Sequence, residues 1–154
     1  MNKTLFTRRL GLAAVVSTFA LAAAAAEPIQ LITREEAGLP LVGIASGQVR
    51  NLTRGPGIDP LATPASVNGG PFRLVVKFKP SNGVPVDPAT VRLTYRRQPV
   101  VDLTARVKSF VTAEGIEAPA VVAPPGRHII DIEATDKEGR IGRGQLTINV
   151  EAPR

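Results

Sequence analysis

From Pro56 onward, apolar side chains recur at every second position in short runs, and that two-residue period restricts the chain to strands with one buried face. FRLVVKFK at 72–79 sets Phe72, Leu74, Val76 and Phe78 against Arg73, Val75, Lys77 and Lys79. TVRLTYR at 90–96 sets Val91, Leu93 and Tyr95 against Arg92, Thr94 and Arg96. HIIDIEAT at 128–135 aligns Ile130, Ile132 and Ala134 opposite Ile129, Asp131 and Glu133. QLTINV at 145–150 aligns Leu146, Ile148 and Val150 opposite Gln145, Thr147 and Asn149. SNG at 81–83 turns the chain, and KEG at 137–139 joins the last two runs as a hairpin.

One stretch breaks the period. DLTARVKSFVTAEGI at 102–116 places Leu103, Val107, Phe110 and Val111 at helical spacing, with Asp102 or Thr104 to cap the start and Gly115 suited to a left-handed end. A strand would instead align Leu103, Ala105, Val107 and Val111; the helical spacing favours a short helix or helical crossover. Residues 27–55 read as a partly flexible N-terminal extension, within a stretch, 27–70, rich in Gly, Pro and small residues. Within it, Thr33 and Glu36 have capping-box spacing, and Gly38 and Pro40 end that helix within about two turns. So short a helix is marginal alone, and the extension either docks on the body or trails from it. VGIASGQVRNLTR at 42–54 holds at most one poorly packed strand. The expected architecture is mostly β: an antiparallel β-sandwich over residues 56–150, with one short helix or helical crossover and a tail at 151–154.

Two segments carry a family resemblance. GPGIDPLATPASVNGGPFRLVVKF at 55–78 resembles the opening of bacterial immunoglobulin-like domains, with a Gly-Pro-x-Ile start, a mid-segment Pro, and Pro-Phe leading into an alternating strand. PPGRHIIDIEATDKEGRIGRGQLTINV at 124–150 is similar to their closing pair, from the Pro-Gly turn through a strand ending in Thr-Asp to a Gly-containing hairpin. The resemblance implies an immunoglobulin-like sandwich and is almost silent on function, because its motifs are turn and strand chemistry. The Cys-Trp-Cys core of antibody domains is absent, so the relation is architectural. The chain as a whole also resembles small exported bacterial proteins.

The first 26 residues read as a separate unit. MNKTLFTRR carries Lys3, Arg8 and Arg9 and no acid, and LGLAAVVSTFALAAAAA carries no charge and ends in small residues. That is the arrangement of a cleaved secretory signal, too short and too weakly apolar to be expected as a stable anchor. TRRLGL at 7–12 resembles the twin-arginine motif, but paired arginines are ordinary in a basic leader, and no cofactor signature follows; the general secretory route is favoured. Without residues 1–26 the net charge falls from +6 to +3, a mildly basic domain rather than a polycation.

Composition closes most catalytic routes. With no Cys, disulfides, thiolate nucleophiles and cysteine metal sites are excluded, and one His leaves no site built on several imidazoles. His128 aligns with Ile130 and Ile132, away from Asp131 and Glu133, and reads as a structural histidine near a strand end. Ser46, Ser66, Ser81 and Ser109 lie in no nucleophile-elbow motif. Asp131 and Glu133 share a strand face but read as a solvated wall rather than a cleft. The expectation is therefore no enzyme and no cofactor.

Two binding readings follow. In the first, an exported, non-catalytic immunoglobulin-like module of the cell envelope binds through its end loops or through a basic face. Arg73, Lys77 and Lys79 on one strand, with Arg92, Arg96 and nearby Arg97 on the next, form a joint positive stripe if those strands are sheet neighbours. Its partner would be an anionic envelope component or another exported protein; export and scarce aromatics disfavour nucleic acid. In the alternative, loop carboxylates around Asp87, Asp102 and Asp136 bind calcium or a small ligand, with Glu138 in the same hairpin as Asp136 and Asp59 in another loop.

Overall fold

The computed structural model describes residues 27–42 and 54–152. The signal reading at 1–26 and most of the strand reading at 42–54 lie outside the described residues. In chain order the elements are β1 (Ile29–Gln30), α1 (Arg34–Ala37), β2 (Gly57–Asp59), β3 (Ser66–Asn68), β4 (Phe72–Lys79), β5 (Arg92–Tyr95), β6 (Val101–Asp102), α2 (Thr104–Val107), β7 (Val111–Thr112), β8 (Gly115–Val122), β9 (Gly126–Thr135) and β10 (Ile141–Glu151). The chain is mostly β and forms two sheets. One runs β1-β8-β4-β2, with β7 also on β8; the other runs β3-β10-β9-β5-β6.

The alternating residues build the core between the sheets. Phe72, Leu74, Val76 and Phe78 of β4, Leu93 and Tyr95 of β5, Ile130, Ile132 and Ala134 of β9, and Leu146, Ile148 and Val150 of β10 are all buried. Val75, on the opposite face of β4, is buried as well, because the loop after β2 folds over it. Thr63 in that loop accepts from the Val75 N–H at 2.9 Å and donates to its carbonyl at 2.7 Å. One hydroxyl thus satisfies both backbone groups of β4 just beyond its pairing with β2, which spans Lys77 to Lys79.

The KEG turn joins β9 and β10 in an antiparallel pair from Ile141 opposite Thr135 to Val150 opposite Gly126. The SNG turn at 81–83 closes on a Ser81–Val84 bridge with Asn82 and Gly83 at positive φ. It does not return the chain to β4, however. The chain crosses to the second sheet, where β5 pairs with β9. The irregular stretch is a helical crossover, α2 followed by a 3-10 turn at Lys108–Phe110. Asp102 accepts from the Thr104 N–H at 2.8 Å at its start, and Leu103 and Val107 are fully buried. Gly115 does not end that helix. It opens β8 at φ +154°, where a Cβ would lie 2.2 Å from the Val76 carbonyl oxygen.

The N-terminal extension docks over its described part. Its helix has both capping-box bonds, Thr33 N–H to Glu36 Oε2 at 2.9 Å and Glu36 N–H to Thr33 Oγ1 at 3.2 Å. β1 pairs in parallel with the end of β8, and Leu31 and Ile32 are fully buried in the core. The segment then crosses to the second sheet, where Leu41 bridges Arg97 beyond the end of β5. Residues 29–41 thus form a strap from one sheet to the other, part of the core rather than a tether.

Candidate functional site

The six basic residues of the expected binding face do not form one stripe. β4 and β5 belong to different sheets, so Arg73, Lys77 and Lys79 are separated from Arg92, Arg96 and Arg97. The reason is the crossover after Ser81: both strands bury one face in the same core and therefore point their charged faces outward on different sheets.

Each group also meets carboxylates. On the first sheet, Arg73 and Lys77 both pair with Glu117 of β8, the latter at 3.8 Å, and Lys79 pairs with Asp59 at 2.8 Å. The Lys79 contact, then the Leu61 N–H, hold the Asp59 carboxyl below its ordinary range. On the second sheet, Arg92 stands opposite Glu133, which binds Arg143 at 2.9 Å. Arg96 binds Asp131 at 2.7 Å, and Asp131 also accepts from Gln145 at 3.1 Å. Asp131 and Glu133 therefore sit on an outer sheet face laced with cross-strand contacts rather than in a cleft.

Arg97 is no part of an outer face. It is 9% exposed, donates to the Leu39 carbonyl at 2.9 Å, and lies 5.0 Å from the centre of the Tyr95 ring. Arg97 continues the inward phase of Val91, Leu93 and Tyr95, and so lies under the strap. Beside it is His128, 1% exposed. Its Nε2 lies 2.7 Å from the Pro124 carbonyl, which can only accept, so Nε2 carries the proton. Nδ1 of the neutral ring then accepts from the Tyr95 hydroxyl at 2.8 Å. Burial pushes the imidazole below the usual histidine range; the Pro124 bond opposes this and Arg97 adds to it. Burial likewise raises the Tyr95 phenol, against the nearby Arg97. His128 is thus buried and hydrogen-bonded within the scaffold near the start of β9, on the side that its place in the strand period implies.

The loop carboxylates are each engaged in a turn of their own. Asp87 caps a 3-10 turn through the Ala89 N–H at 3.0 Å. Asp102 is held below its ordinary range by the Thr104 side chain and backbone. Asp136, buried in the β9–β10 hairpin, accepts from the Glu138 and Arg140 N–H groups, each at 2.9 Å, and from Arg140 Nε at 2.7 Å. Burial works to raise its carboxyl, and these bonds outweigh burial and lower it. Among the described residues, no three His, Asp or Glu side chains converge as metal ligands, and no helix is long and apolar enough to cross a membrane.

Sequence reasoning did not single out Arg106, which holds the strap. From α2 it donates to the Leu31 carbonyl at 2.7 Å and forms a two-point pair with Glu36 at 2.8 and 2.6 Å. That pair, the largest influence on it, brings the Glu36 carboxyl down to about 2. An Arg on the polar side of a short helix carries no local mark of such a role. No protein-family model, curated protein or solved structure matches the chain.

Proposed function

We propose that the protein is an exported, non-catalytic immunoglobulin-like module that acts at the bacterial cell envelope by binding or as a structural part. The observation that carries this reading is the commitment of its reactive side chains. His128 bridges Tyr95 and Pro124, Asp131 and Glu133 lie in cross-strand pairs, and Asp87, Asp102 and Asp136 each close a turn. An active site needs groups that converge on a substrate, whereas these groups are spent on the scaffold.

The immunoglobulin-like part of the reading is supported by strand order. β2, β4, β8 and β7 share one sheet, and β5, β9 and β10 are neighbours in the other. In such sandwiches the A, B, E and D strands face C, F and G. The β2–β3 segment serves both sheets, pairing first with β4 and then in parallel with β10. The basic leader and apolar run of residues 1–26 support export.

With the joint stripe divided, the end loops are the preferred contact surface. Expression of the full chain with a C-terminal tag in a bacterium, followed by fractionation and N-terminal sequencing, tests export. A product outside the cytoplasm that begins at Glu27 is expected; a full-length cytoplasmic product overturns the reading. Cross-linking of the exported product then locates its contacts. A cross-linked partner retained in the double variant Arg92→Glu, Arg96→Glu supports the end loops; its loss returns the contact to the basic residues of the second sheet.

A further inference from the structure

The buried cluster beneath the strap joins one titratable ring to the strap's far end. His128 Nδ1 meets the Tyr95 hydroxyl at 2.8 Å, the Tyr95 ring lies 5.0 Å from the Arg97 guanidinium, and Arg97 donates to the Leu39 carbonyl at 2.9 Å. Beside this bond the Gln98 N–H donates to the Pro40 carbonyl at 2.9 Å. We propose that His128 is an acid-sensitive latch: its protonation reverses the Tyr95–His128 hydrogen bond, displaces Arg97 and releases residues 39–41 of the strap from the end of β5.

The chemistry follows from donor count. Neutral His128 donates through Nε2 and accepts through Nδ1, and both roles are filled. A proton on Nδ1 turns that acceptor into a donor; the Tyr95 oxygen can accept from it only by turning its own O–H away, which leaves that buried hydrogen without the acceptor it had. The proton also places a second cation next to Arg97 in a site closed to water, where like charges repel strongly. The groups around the ring offer no free counter-charge, although the Pro124 carbonyl favours the charged form. β5 and its extension present Tyr95 and Arg97, the loop before β9 presents the Pro124 carbonyl, and β10 presents Ile148 opposite His128 in register. From β9, Arg127 contributes its backbone carbonyl to Arg97 at 3.5 Å. From α1, the Glu36 carboxylate bears on Tyr95, but it is engaged by Arg106. Arg97 is also incompletely satisfied where it lies: its Nε is buried without a hydrogen-bond partner among the described residues.

Release is confined to one end. The Arg106 contacts to Glu36 and Leu31 involve no group that titrates near the histidine range, since Glu36 stays ionised down to about 2. β1, Leu31 and Ile32 therefore stay docked while residues 39–41 leave.

An NMR titration of the intact mature chain from near pH 7.5 downward tests this, following the His128 ring proton and the amides of Leu31, Leu41 and Gln98. The Leu41 and Gln98 amides are expected to move with the midpoint of the imidazole, with Leu31 unchanged until well below it. In His128→Gln, which offers an N–H to Pro124 and does not titrate, the Leu41 and Gln98 response is expected to vanish. Should that variant fail to fold, the wild-type titration decides alone. An imidazole still neutral where the chain unfolds, strap amides that ignore it, or simultaneous loss at Leu31 overturns the proposal.

Discussion

Gly142 and Gly144 sit where the start of β2 crosses β10. A Cβ at Gly142 would lie 2.0 Å from the Pro56 carbonyl oxygen, and one at Gly144 would lie 2.7 Å from Ile58 Cγ2. Backbone blocks the first and a branched side chain the second, so Gly142→Ala should destabilise the fold by about 2–3 kcal/mol through crowding. Gly139→Ala provides the contrast. Its Cβ meets nothing within 4 Å, but φ is +79°, so about 1 kcal/mol is expected from backbone strain alone. Urea melts of both variants against wild type check the order. Thr63→Val, by the same measurement, should cost about 1–3 kcal/mol, since it leaves the Val75 N–H and carbonyl without their hydroxyl. None of these roles is visible in the residue itself. A Gly within a strand signals a close approach without saying what approaches.

The strap is the element whose stability is most exposed to acid. Glu36 is held down to about 2 by Arg106, well below the ordinary carboxylate range near about 4.3. Its folded value is lowered, so its contribution is fully present above that range and is lost as pH falls toward 2, where the native carboxylate protonates. Arg106→Met should lower stability near neutral pH by about 2 kcal/mol and flatten the loss between pH about 4.5 and 2, as read from melts across that window. The capping box was legible because Thr33 and Glu36 are three residues apart, a separation whose geometry any helix supplies. Their clamp was not, because Arg106 is 70 residues further along the chain.

At the scale of the molecule, the carboxylates once grouped as a calcium reading are dispersed over turns that already use them. Millimolar calcium should therefore leave the melting midpoint of the mature chain unchanged; a rise would reveal a site that binds the native state. The candidate basic face shows the same division between what is local and what is not. That Arg73, Lys77, Arg92 and Arg96 face outward was legible from alternation, and each is at least partly exposed. That they face outward on two different sheets was not. Arg97 falls on the inward phase of the same alternation and is buried.

By itself, the sequence determined which residues of each strand turn inward, where the capping box and the β9–β10 hairpin form, and that His128 joins the buried side. These are matters of period and of contacts a few residues apart, set by backbone geometry. Only the tertiary structure decided that β4 and β5 lie in different sheets, that the strap closes over the core, and that Arg106 and Arg97 hold it. Such choices rest on pairings between distant segments with equally suitable apolar faces, and they are settled by the joint packing of both sheets around one core.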